Sequence, residues 1–295
     1  MQGGSDSSAD RVGALREGKF SRTAHGVAVR RAAHQLFDQP RVLDDPFALP
    51  IIGAEARSKL VSSRKVHGST ARAFRAFMVA RSRYAEDQLA SAVERGVRQC
   101  VVLGAGLDTF AYRNPYPDLR VFEVDHPATQ GWKRKRLHSA GIAVPESLRF
   151  VPVDFERQTL AAGLEQGGFD FHSPAFFSWL GVTPYLTRES FVATLSVIVK
   201  MPSGSGVAFD FAVDRKLLNL GQRLALYLLS RRVAAAGEPF QLFFHPAELA
   251  RELKDWGFQR TERLDTEEIN ARYFKDRADG LRVGGGLGQL MGAWV

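Results

Sequence analysis

Hydrophobic and polar positions along the chain follow two rhythms. Up to about residue 95 apolar side chains recur at helical spacing, and beyond it short β-branched runs alternate with helical stretches. The helical pattern of residues 19 to about 61 is interrupted at Asp38-Gln39-Pro40 and Asp44-Asp45-Pro46, where the proline ring stops a helix. A longer helix is predicted over residues 71–95, because Phe74, Phe77, Met78, Ala85, Leu89 and Val93 recur with its period and Gly96 can end it. Five apolar runs follow, at residues 99–103, 119–124, 148–153, 174–179 and 206–211, with helical stretches at 126–140, 156–166 and 187–200 between them. Runs apolar throughout belong to strands covered on both faces, and their alternation with helices predicts a parallel sheet. Two further runs, at 258–264 and 290–295, complete seven strands. The expected class is therefore α/β, a doubly wound, mostly parallel sheet.

The same pattern divides the chain. Residues 1–18 read as a flexible start and 19–295 as one domain: a helical cap at 19–70, a sheet core at 71–212, a helical lid at 213–245 and the rest of the sheet at 246–295. The lid is inferred from helix between the fifth and sixth strands that a minimal α/β unit does not need.

Composition narrows the function classes. With 295 residues, 45% hydrophobic and 24% charged, the chain is globular. Its start lacks the apolar core of a signal peptide, and the most apolar helical stretch, 217–236, is broken by Arg223, Arg231 and Arg232. A cytoplasmic protein with no membrane partner is expected. The single cysteine, Cys100, excludes a disulfide framework and a multi-cysteine metal site, and no metal is expected. The net charge of +8 raises the question of nucleic acid. Its one dense run, Lys133-Arg134-Lys135-Arg136, sits on a predicted helix and reads as a solvated outer face, so no nucleic-acid partner is expected. No oligomeric state is encoded legibly.

In open parallel sheets ligands bind beyond the carboxyl ends of the strands, so the residues just after each run carry the chemistry. After the first run stands Gly104-Ala105-Gly106-Leu107-Asp108-Thr109, where two glycines let the backbone turn and approach a ligand. A dinucleotide fingerprint requires Gly or Ala where Thr109 stands, and the Asp108 carboxylate repels a diphosphate. A phosphate-free nucleoside ligand such as S-adenosylmethionine suits the loop better than NAD. The second run ends at Asp125, about 20 residues after the glycines, where a carboxylate accepts both ribose hydroxyls. The third ends at Asp154-Phe155, a carboxylate beside a ring that suits the amine and face of an adenine.

These residues resemble the leucine carboxyl methyltransferase family of S-adenosylmethionine-dependent enzymes, in its bacterial, polyketide O-methyltransferase-like branch. The resemblance is carried by Ala80-Arg81-Ser82-Arg83-Tyr84, the loop 104–109, Phe122-Glu123-Val124-Asp125, Asp154, the stretch 179–187 and Thr23-Ala24-His25-Gly26-Val27-Ala28. It implies a class I methyltransferase, Rossmann-like fold and conversion of S-adenosyl-L-methionine to S-adenosyl-L-homocysteine. Arg81 would hold the methionine carboxylate, Gly104, Ala105 and Gly106 would face the methionine part, Asp125 the ribose, and Asp154 with Phe155 the adenine. The family often has Glu where this chain has Leu180, which would instead pack on the cofactor. That departure turns the expectation from a protein carboxylate toward a hydroxyl or carboxyl of a small-molecule acceptor. Tyr185 and His245, followed by His172 and His126, are the candidate bases. A protein C-terminal carboxyl methyltransferase and a non-catalytic S-adenosylmethionine-binding protein are the alternatives.

Overall fold

All seven apolar runs form strands in the computed structural model, which describes residues 22–155, 157–235 and 239–295. The flexible start expected at 1–18 lies outside them. The strands are β1 (Gln99–Leu103), β2 (Arg120–Asp125), β3 (Leu148–Pro152), β4 (Phe176–Trp179), β5 (Gly206–Ala212), β6 (Arg260–Leu264) and β7 (Gly288–Trp294). They form one sheet in the order β3-β2-β1-β4-β5-β7-β6, in which β7 alone runs antiparallel to its neighbours. Chain order reverses between β1 and β4, the switch point at whose carboxyl edge open sheets of this kind form their ligand crevice.

The helices are α1 (Arg22–Phe37), α2 (Ala48–Ile52), α3 (Ala54–Ser62), α4 (Ser69–Glu94), α5 (Pro127–Ser139), α6 (Leu160–Gln166), α7 (Arg188–Ile198), α8 (Leu220–Ala235), α9 (Pro246–Asp255) and α10 (Thr266–Tyr273). Every residue of β1 and β5 is buried, the physical reason these runs do not alternate. One sheet face packs Cys100, Val102, Phe176 and Ala208 with Val79, Leu89 and Ala92 of α4. The other packs Val101, Phe122, Phe177 and Phe209 with α6, α7 and α9. At its centre the Phe191 ring lies 5.3 Å from Trp179, 5.7 Å from Phe209 and 4.8 Å from Phe244. Truncating such a side chain costs about 3–5 kcal/mol.

Helices α1–α3 form a third cluster, in which Ala32, Ile51, Ile52 and Leu60 meet Leu107 after β1 and Leu137 of α5. This sets the N-terminal helices over the carboxyl edge of β1. The basic run on α5 corrects the expectation of a solvated face. Helical period places Lys133 beside Thr129, Gln130 and Leu137 on the buried side, 2.7 Å from Glu123 of β2, while Arg134 and Lys135 are exposed. No helix of the described residues is long and apolar enough to cross a membrane.

Candidate functional site

The loop leaving β1 is built by two glycines in the left-handed region, Gly104 at φ +64° and Gly106 at φ +48°. A Cβ at Gly104 would stand 2.4 Å from Cγ2 of Val182, and one at Gly106 would stand 2.9 Å from the Ala24 Cβ of α1. Only glycine fits both places. The amides of Gly104 and Ala105 both donate to the carbonyl of Val124, at 2.8 and 3.1 Å, which draws the loop over the end of β2. There Asp125 accepts from the amides of Gly106 at 2.6 Å and His126 at 2.7 Å. Burial pushes its carboxyl above the ordinary range, against those two amides and Lys133.

Asp154 and Phe155 follow β3 on the same edge. Asp154 is half-buried and lies 3.4 Å from Arg157, while the Phe155 ring is 61% exposed at the rim. Leu180 follows β4 across the crevice and packs into the α4-side core. The fold thus brings the loop 104–106, Asp125, Asp154, Phe155 and Leu180 to the carboxyl ends of four adjacent strands.

Arg81 reaches this edge from α4 as a buried group, whereas Arg83 is exposed and bonds Asp87 at 2.7 Å. Arg81 Nη1 donates to Asp210 of β5 at 2.9 Å, and the other Asp210 oxygen accepts from the amide of Gly181 at 2.5 Å. Gly181, at φ +73°, carries the guanidinium against its backbone, since a Cβ there would be 2.7 Å from Nη2. Arg81, Asp210 and Gly181 thereby join α4, β5 and the loop after β4.

A second polar group, invisible in the sequence, fixes the N-terminal helices to the glycine loop. Arg31 of α1 donates to Asp108 at 3.2 Å and to the carbonyl of Leu107, and lies 3.6 Å from Asp45. Thr109 donates to Asp45 at 2.6 Å, and Arg113, paired with Glu86, lies 3.7 Å from Asp45. Burial would raise the Asp108 carboxyl, but Arg31, Lys133 and Arg113 outweigh it and hold it below its usual range. Asp108 and Thr109 therefore hold the cap in place. Asp44-Asp45-Pro46 signals a turn, and nothing local in it announces that Asp45 is buried under Thr109. Beneath the loop, burial pushes Glu123 up to about 7 against the pull of Lys133.

The candidate bases separate by position. His126 caps α5, its Nδ1 accepting from Ala128 at 3.2 Å, and His172 precedes β4 at the opposite edge of the sheet. Tyr185 lies in the turn after β4, its ring 5.2 Å from Phe240. His245 begins α9, next to the bridge between Phe244 and Val213 that follows β5, and its Nδ1 has no hydrogen-bond partner among the described residues. A cleft of about 640 Å³ opens beside the end of β5, lined by Arg72, Gln222, Asn270, Arg282 and Gly284–Gly286. Another, of about 550 Å³, lies on α2 and α3.

Comparison with known proteins adds to this geometry. The model of the leucine carboxyl methyltransferase family matches residues 24–199. YktD of Bacillus subtilis, provisionally named an S-adenosyl-L-methionine-dependent methyltransferase, is 37% identical over 206 residues, 69% of this chain and 67% of the relative. A Mycobacterium avium protein with the same provisional name is 34% identical over 200 residues, 65% of this chain and 66% of the relative. The chain thus matches about two thirds of the length of these relatives. A solved DUF574 family protein from Streptomyces avermitilis has a TM-score of 0.57 at 18% identity, covering 92% of this chain and 97% of its own. At that identity the likeness is one of fold.

Proposed function

The chain belongs to the leucine carboxyl methyltransferase family of S-adenosylmethionine-dependent enzymes, and from that premise we propose that it methylates a hydroxyl or carboxyl oxygen of a small organic acceptor. The observation that carries the cofactor site is the turn at the switch between β1 and β4, where Gly104 and Gly106 take left-handed backbone and Asp125 is presented by two amides. Such a loop accepts a nucleoside bearing an amino-acid arm at close approach. Asp125 would bind the ribose, Asp154 and Phe155 the adenine, and Arg81, oriented by Asp210, the methionine carboxylate.

When bound there, S-adenosylmethionine supplies a methyl group already activated by its sulfonium. The protein has only to align the acceptor oxygen with that carbon and exclude water. Helix α1 serves the second task, since Ala24 covers Gly106 and Arg31 anchors the helix to Asp108. A carboxylate acceptor reacts without a base, whereas a hydroxyl must lose its proton. Tyr185 and His245 lie toward the correct edge to take it. Leu180, in place of an acidic residue, makes the wall beside β4 apolar and supports a small organic acceptor over a peptide terminus.

The test is incubation with methyl-labelled S-adenosylmethionine and a panel of phenols, alcohols and carboxylic acids, beside a peptide ending in leucine. Label is expected on a small molecule. Label on the peptide alone would replace the reading with protein carboxyl methylation, and cofactor binding without transfer to any acceptor would favour a non-catalytic role.

A further inference from the structure

Helix α8 is barely held by the rest of the molecule. Of its described side chains only Leu226 is buried. Leu220, Leu224, Tyr227 and Leu228, which share one face at helical spacing, are 83, 59, 57 and 52% exposed, and Leu217 just before them is 49% exposed. Contiguous apolar surface of this kind marks a contact with something outside the chain.

Charge says what that something is. Between residues 215 and 235 the sequence holds five basic residues, Arg215, Lys216, Arg223, Arg231 and Arg232, and no acidic one. Arg231 lies over the Tyr227 ring, 5.9 Å from its centroid, within the apolar stripe. A second copy of the chain would set two such helices together and add +8 to +8, so self-association is opposed. A convex row of leucines offers no groove to grip a peptide. A fluid, anionic, apolar phase needs no matching shape, and leucines with interleaved arginines are what it takes up.

We propose that α8 docks the protein on anionic phospholipid surfaces, its leucine stripe entering the headgroup boundary and Arg231, with Arg215 and Lys216 just before the helix, meeting lipid phosphates. This departs from the expectation of no membrane partner, which rested on the lack of a spanning segment and says nothing of a surface. The stripe holds none of the residues assigned to the cofactor and does not depend on the methyltransferase reading.

The experiment is co-sedimentation of the full chain with vesicles of phosphatidylglycerol and phosphatidylcholine, or of phosphatidylcholine alone, at low and high salt. Binding is expected only to the anionic vesicles, and weakening with salt. The Leu220→Asp/Leu224→Asp variant should lose about tenfold or more in vesicle affinity, from lost apolar burial and added negative charge. Val61→Asp, at an exposed apolar position on α3, should bind as the parent does. Both variants should unfold at the parental temperature, because the replaced side chains are exposed. No sedimentation with anionic vesicles, or equal sedimentation of the α8 variant, would overturn the proposal. So would a dimer, seen by light scattering, that the α8 substitutions dissociate and that fails to bind vesicles.

Discussion

Gly106→Ala tests how the N-terminal helices press on the glycine loop. A non-glycine residue near φ +48° costs about 1–2 kcal/mol. The new Cβ would also stand 2.9 Å from the Ala24 Cβ, and overpacking of that kind costs about 1–3 kcal/mol. The sum is about 2–5 kcal/mol. For 295 residues the unfolding entropy is about 0.6 kcal/mol/K, so the melting temperature should fall by about 3–8 °C. Ala24→Gly alone should cost up to about 1 kcal/mol of helix propensity. Combining the two removes the contact and keeps the backbone strain, so the double variant should be about 1–3 kcal/mol more stable than additivity allows. Chemical denaturation of all four proteins gives the cycle. Additivity within about 0.5 kcal/mol would show that Ala24 does not press on position 106. Calorimetry with S-adenosylhomocysteine should show at least tenfold weaker binding to Gly106→Ala, because relieving the clash and the strain shifts the amide that orients Asp125.

Three further outcomes follow from the same structure. Asp125→Ala should weaken S-adenosylhomocysteine binding by about 100-fold, the worth of one or two hydrogen bonds to a charged acceptor; unchanged affinity by calorimetry would remove the ribose assignment. Arg31→Met leaves Asp108 and the buried Asp45 short of their cation and should destabilise by about 3–5 kcal/mol in denaturant; a loss below about 1 kcal/mol would show that the cap is held otherwise. Against the raising effect of burial, His34 and Arg75 hold Asp38 down to about 2, below its ordinary 3.8. A lowered folded pKa gives stability present above the unfolded value and lost as pH falls through the folded one, so about 2 kcal/mol should disappear between pH 4 and pH 2. Denaturation across that window should show the loss in the parent and not in Asp38→Asn.

The strands were legible because burial on both faces leaves an unbroken apolar run. Residues 99–103 match β1, and the other expected runs overlap their strands with ends moved by a few residues. The run at 290–295 was placed, but β7 starts earlier at Gly288, because glycines there lack the apolar signal; a Cβ on Gly288 would stand 2.8 Å from Phe77. Of the residues 213–245 expected as a lid, Arg215–Leu217 form a short turn and Leu220–Ala235 form α8. The side-chain partnerships around the crevice were not legible. Arg31 and Asp108 are 77 positions apart, Asp45 and Thr109 64, and Arg81 and Asp210 129. Nothing in the local pattern of either partner names the other. Lys133 shows the same limit: a run of four basic residues reads as solvated until Glu123 is seen beneath it.

The most direct measurement is isothermal titration of the full chain with S-adenosylmethionine, S-adenosylhomocysteine and NAD in parallel. A crevice built by Gly104, Gly106 and Asp125, with Asp108 and Thr109 committed to the cap, should bind both adenosyl compounds in the micromolar range and give no heat with NAD. Binding of NAD, or silence toward both adenosyl compounds from a folded protein, would contradict the site.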